Sequence, residues 1–147
     1  MSNIRVGMMA PDFKAKAYKA GEFKDISLKD YQGKWVCLFF YPLDFTFVCP
    51  TELKAFGDIE SKFKEAGCEV LACSTDSHFS HKAWFERDLK DVKYAVLADT
   101  NHEISKNYGV LIENEGGTIR IVQGDPYNIK ITLRKDLELA EAMLACR

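Results

Sequence analysis

An α/β fold, a central sheet covered by helices, is what this sequence predicts, and three observations carry the prediction. Short continuous apolar runs recur at WVCLFFY (Trp35 to Tyr41), EVLACS (Glu69 to Ser74) and YAVL (Tyr94 to Leu97). The segments between them carry apolar residues at helical spacing. The resulting order of strand, helix, strand, helix, strand is the signature of βαβ units. At 147 residues the chain fits one domain, 1-147, which buries roughly two-thirds of the surface its unfolded form exposes and needs no disulfide framework or structural metal to fold.

Taken in order, Phe13 to Tyr18 and Glu22 to Leu28, joined around Gly21, read as a hairpin. Trp35 to Tyr41 reads as a strand buried on both faces of a parallel sheet. Phe56, Ile59, Phe63 and Ala66 then form one stripe on a helix of about four turns that begins near Pro50 and stops at Gly67. After the Glu69 to Ser74 strand, SHFSHKAWFERDL places Ala83 and Trp84 on a second helix, Ser77 to Leu89, which leads into the Tyr94 to Leu97 strand. A short helix near Asn101 to Asn107 follows. Two β-rich runs come next (Thr118 to Val122 and Asn128 to Leu133), and a final helix carries Leu137, Ala140 and Leu144. No internal repeat, low-complexity tract or linker interrupts this order.

Composition narrows the function. Hydrophobic residues make up 47% and charged residues 29%, the balance of an ordinary soluble globular protein. With a formal net charge of −2 and its Lys and Arg spread along the chain, the sequence has no electrostatic footprint for nucleic acid or an anionic membrane surface. It has no apolar stretch of secretory-signal or membrane-spanning type, and it reads as cytoplasmic. Five cysteines, Cys37, Cys49, Cys68, Cys73 and Cys146, with no CxxC pair and only three histidines, fit neither a secreted disulfide scaffold nor a zinc site. No metal or other cofactor is called for. A reducing compartment and one or two working thiols are the expectation.

The working thiol is Cys49. It follows the WVCLFFY strand and stands directly before Pro50, and proline favours the first turn of a helix. The sulfur is therefore expected at a helix N-terminus, where unpaired N–H groups and the helix dipole favour the reactive thiolate. Cys37 lies within a strand run and Cys68 and Cys73 flank the next one, positions where cysteine acts as a small hydrophobe. The sequence argues against a dithiol reductase of the CxxC type at Cys49, because Glu52 occupies the place of the second cysteine.

Around Cys49 the stretch FYPLDFTFVCPTEL contains Pro42, Thr46 and Cys49 in the spacing P-x-x-x-T-x-x-C. This resembles the active-site motif of the peroxiredoxins, in particular the typical 2-Cys, alkyl hydroperoxide reductase branch. The resemblance continues through STDSHFSHKAW and LADTNHEISKNYGV, covering Phe13 to about Gly116. It implies a thioredoxin-like fold with a mixed sheet, and a thiol peroxidase in which Cys49 attacks hydrogen peroxide or an organic hydroperoxide and becomes a sulfenic acid. It also implies that Thr46 hydrogen-bonds the peroxide and the thiolate, that Pro42 shields the pocket, and that Glu52 orients an arginine. Taken singly, Thr46 is equally readable as a helix cap and Pro42 as the end of a strand.

The family arginine is where the sequence departs from the pattern, for this chain reads EGGTIRIVQGDPYNIKI from Glu115. In one alignment the strand bearing the arginine is lost. In the other, which we favour because it keeps a strand the sheet needs, Arg120 is the catalytic arginine and Asp125-Pro126 the following turn. Cys146, near the end of the sequence, is the candidate resolving cysteine, although MLACR lacks the family's Val-Cys-Pro context. The resemblance further implies a dithiol protein reductant, thioredoxin-like or a flavoprotein disulfide reductase, and a homodimer that can build a ring of dimers. The altered region after Glu115 also leaves open a catalytically impaired member that serves as an oligomeric scaffold, holdase or redox-signalling partner. RDLKDVKYAV stands where readily over-oxidised relatives carry a Gly-Gly-Leu-Gly insert. Cys49 is thus expected to resist sulfinic acid formation if a second thiol resolves it, and to over-oxidise easily if none does.

Overall fold

The computed structural model describes residues 7–111. Within them lie strands β1 (Lys14–Lys19), β2 (Glu22–Ser27), β3 (Trp35–Phe40), β4 (Cys68–Ser74) and β5 (Ala95–Ala98). The helices are α1 (Cys49–Asp58), α2 (Glu60–Glu65), α3 (His78–Asp88) and α4 (Glu103–Asn107). The strands form one sheet in the order β2-β1-β5-β4-β3. Its β3, β4 and β5 run parallel, and the hairpin of β1 and β2 lies antiparallel on β5. This mixed sheet with flanking helices is the expected α/β, thioredoxin-like class. The two β-rich runs and the final helix expected after Gly116 lie outside the described residues.

Local chemistry explains the corners. The hairpin turns on Ala20 and Gly21, both at positive φ (48° and 97°), the two-residue turn whose twist suits paired strands. Ser77 caps α3 by accepting the Ser80 N–H at 3.2 Å, as its place before the helix predicts. Gly67, at φ 71°, ends α2 and returns the chain to β4.

Alternation along the strands sorts the core into two clusters, one on each face of the sheet. Val70, Ala72, Val96 and Tyr18 pack with Leu53 of α1 and with Trp84 and Phe85 of α3. Leu71, Cys73, Ala95, Leu97 and Ala17 pack with Phe13 and with Ile104 of α4. The helices after β3 and β4 thus cover one face, and α4 covers the other.

Two expectations need correction. The single helix of about four turns is broken at Ile59, whose backbone (φ −108°, ψ 9°) leaves the helical region and turns its N–H to the Gly57 carbonyl. Phe56 stacks on Phe39 with ring centroids 4.2 Å apart, and Phe63 lies beside Phe56, so those residues hold the stripe. Ile59 and Ala66 are exposed instead. The WVCLFFY run is likewise not buried on both faces. Among the described strands β3 is one of the two edges, Trp35 is 78% exposed, and the rest of the strand is only half-buried.

Candidate active site

The site begins where β3 ends. Tyr41 prolongs the strand by one bond, its N–H donating to the Cys73 carbonyl at 3.0 Å, and the chain then leaves the sheet at Pro42. Between Pro42 and Cys49 it makes a tight turn in which the Thr46 hydroxyl donates to the Leu43 carbonyl at 3.3 Å. Phe45 within that turn sits at φ 56°, a left-handed conformation that a bulky residue seldom adopts. Its ring is held from outside, tilted against Trp84 at 5.9 Å with the Arg87 guanidinium 4.9 Å above it.

Cys49 is the first residue of α1, with Pro50 in the first turn as expected. Val48 is the N-cap and no side chain caps the helix, so Thr46 is not a capping residue. The residue is only 7% exposed and shares a cluster with Tyr41, Leu53 and Trp84. This position brings the sulfur to a helix N-terminus at the carboxyl ends of the parallel strands, the edge where open α/β sheets place ligand chemistry. Pro42 and Thr46 stand on the same turn, with Pro42 exposed and Thr46 half-buried, and Glu52 is exposed in the first turn of α1. Arg120 and Cys146 lie outside the described residues.

Two of the other thiols are held in the unreactive protonated form by their place in the sheet. Cys73 is fully buried in β4, and burial together with the nearby Asp99 pushes its thiol up to about 12. Burial, with a smaller contribution from Cys68, also raises the Cys37 thiol. All four described cysteines are free.

Sequence reasoning missed the polar network behind the turn. The Asp44 carboxylate accepts from the Tyr41 hydroxyl at 2.7 Å and bonds His81 Nδ1 at 2.8 Å, and both its side chain and that of His81 are at most 1% exposed. His81 Nε2 meets the Leu97 carbonyl at 3.2 Å, and the Asp44 N–H donates to the Asp76 carboxylate at 2.6 Å. Burial and the neighbouring Asp44 charge push the Tyr41 phenol far above its ordinary range, so it is a permanent donor. A signal for this network was available, because His81 stands three residues before Trp84 and so shares its inward face of α3. Its partner Asp44 carries no comparable pattern.

Residues 6–123 match the model of the AhpC/TSA family. The chain belongs to that family. This AhpC/TSA member is 54% identical over 120 residues to a protein of Echinococcus granulosus named thioredoxin peroxidase, an alignment covering 78% of the chain and 62% of the relative. A peroxiredoxin of Caenorhabditis elegans is 55% identical over 125 residues, covering 82% of the chain and 62% of the relative. The chain therefore spans about three-fifths of the length of these relatives. Among solved structures, the reduced 2-Cys peroxiredoxin of Plasmodium vivax superposes with a TM-score of 0.74 at 34% identity, covering 95% of this chain and 96% of the other. AhpC of Enterococcus faecalis gives the same score and identity over 99% and 94%. The resemblance to the peroxiredoxins and the expected fold are borne out.

Proposed function

We propose that the protein is a thiol-dependent peroxidase that reduces hydrogen peroxide and small organic hydroperoxides through Cys49. The observation that carries the reading is the placement of a buried thiol as the first residue of α1, directly after the turn bearing Pro42 and Thr46. The names of the relatives, thioredoxin peroxidase and peroxiredoxin, support it. Nothing observed favours the scaffold or holdase alternative.

In the proposed step the Cys49 thiolate attacks the terminal oxygen of the hydroperoxide. An S–O bond forms as the O–O bond breaks, sulfur is oxidised to the sulfenic acid, and the leaving alkoxide or hydroxide takes a proton to become alcohol or water. The peroxide is thereby reduced by two electrons. Thr46 supplies the hydroxyl that orients peroxide and thiolate, Pro42 limits water access, and Arg120, with Glu52 orienting it, stabilises the developing charge. Low thiol basicity alone does not make a fast nucleophile, so these positioned donors carry much of the rate. The cycle closes through Cys146, or an external thiol, and a dithiol protein reductant of the thioredoxin-like or flavoprotein disulfide reductase type. A homodimer that can build a ring of dimers, and a cytoplasmic setting, belong to the same proposal. The cysteine usage supports that setting, and no described helix is long and apolar enough to cross a membrane. One relative, from Bos taurus, is named mitochondrial.

Cys49→Ser is expected to abolish peroxide consumption by the full chain, whereas Cys37→Ser, Cys68→Ser and Cys73→Ser keep most of it. In the mass spectrum, one equivalent of peroxide adds about 16 daltons to the Cys49 peptide of the wild type, or removes two as a disulfide forms. Undiminished peroxide consumption by Cys49→Ser refutes the proposal.

A further inference from the structure

The turn that presents Cys49 is fastened to the rest of the molecule by groups outside the P-x-x-x-T-x-x-C motif. Asp44 is the fastening point. Its carboxylate spans from the Tyr41 hydroxyl at the end of β3 to His81 on α3, and its backbone N–H is held by Asp76 ahead of α3. His81 is braced in turn by the Leu97 carbonyl of β5, so the turn is tied through one imidazole to a helix and a central strand. The imidazole is thus held at both ring nitrogens, by the Asp44 carboxylate at Nδ1 and by the Leu97 carbonyl at Nε2. Tyr41, Asp44 and His81 are buried and paired, an arrangement that fixes one geometry and penalises its loss.

Cys49 as a residue is 7% exposed, too little surface for the sulfur of a protein-sized thiol to reach. Any reaction of Cys49 with a large partner requires the Pro42 to Leu53 segment to move away from Tyr41 and Trp84. We propose that Tyr41, Asp44 and His81 form a latch, with His81 and Asp44 as positioning residues, that holds this segment closed and sets how often Cys49 opens to partners larger than peroxide. The latch then divides the cycle. Closed, it presents Cys49 beside Thr46 to peroxide; opened, it exposes the oxidised cysteine to the thiol that reduces it. The role in that cycle rests on the peroxidase reading, but the latch itself is measurable without peroxide.

The test follows alkylation of the reduced full chain by a polyethylene-glycol maleimide, with labelled cysteines mapped by peptide mass. Cys73, fully buried in β4, is the internal reference, since only global unfolding exposes it. His81→Leu fills the space without a hydrogen bond and is expected to speed Cys49 labelling roughly ten- to a hundredfold, the worth of a buried bond to a charged group, with Cys73 unchanged. Tyr41→Phe removes one bond and keeps the ring, and gives a smaller acceleration. His81→Asn places an amide donor near Asp44 and restores most of the protection. The proposal is overturned if neither His81→Leu nor Tyr41→Phe accelerates Cys49 labelling, if Cys73 labelling rises in step with it, or if His81→Asn is as open as His81→Leu. Should His81→Leu fail to fold, Tyr41→Phe decides. Sulfenic acid formation is scored separately by mass after one equivalent of hydrogen peroxide. A wild type that forms none sinks the peroxidase reading and leaves the labelling ratios to judge the latch.

Discussion

Cys73 offers a measurable link between one buried thiol and the stability of the whole sheet. Its folded value is raised to about 12 from an ordinary 9.0, mainly because β4 removes it from water. Between these values the unfolded chain loses a proton that the native chain keeps, so the unfolded state gains relative to the native one as pH rises. The contribution of Cys73 is intact below pH 9 and falls away above it. With these two values, wild type loses about 1.4 kcal/mol at pH 10 and about 2.7 kcal/mol at pH 11 through this group. Tyrosines raised by burial, Tyr41 and Tyr94 foremost, act in the same direction, so the wild-type curve alone does not isolate Cys73. Cys73→Ala does. Its lost packing is a constant offset, and the gap between wild type and variant in unfolding free energy, read from urea titrations, should narrow from pH 8 to pH 11 by the amounts above. A gap that stays constant across that range refutes the reasoning.

Other outcomes follow from single contacts. Asp99, 1% exposed, accepts the Ile104 and Ser105 N–H groups and the Ser105 hydroxyl at 2.6 to 2.9 Å. Asp99→Ala strands these donors and should lower stability by on the order of 4 kcal/mol in urea titration, while Asp99→Asn, which keeps one acceptor, loses less. Tyr94→Phe removes the buried bond to the Leu53 carbonyl, 2.8 Å long, and should cost about 1 kcal/mol by the same measurement. Leu53→Ala empties a fully buried place one turn after Cys49 and should cost roughly 2–5 kcal/mol, read as a fall in melting temperature.

Most of the scaffold was legible because its signals are local. The runs that became β3, β4 and β5 carry strand character in consecutive residues, Ser77 announces α3, and Gly21 and Gly67 mark their turns. The break at Ile59 escaped because the stripe continues through it in sequence, and only the stacking of Phe56 on Phe39 shows which part of the helix is held. The exposure of β3 escaped because an apolar run records composition, not place in the sheet. At the site, Cys49 was readable from the strand before it and the proline after it. Asp44 was not, since its meaning lies in His81, 37 positions away, and Asp76, 32 positions away. No periodicity reports such a pair.

The antiparallel seam between β1 and β5 bears on how the chain reaches this structure. Ala17 pairs with Leu97 and Tyr18 with Val96, about eighty positions apart along the chain, whereas the β3–β4–β5 pairings are closed by single intervening crossovers. Loop closure over that span is entropically dearer than over either crossover. During synthesis at about 5–20 residues per second, the hairpin has emerged several seconds before β5 exists to receive it. In that interval Ala17 and Tyr18, 0% and 5% exposed in the finished sheet, have no docking surface. Among the described strands the hairpin is thus the natural last piece of the sheet, and the stage before it docks leaves the β5 edge open for a strand of another chain to add to it.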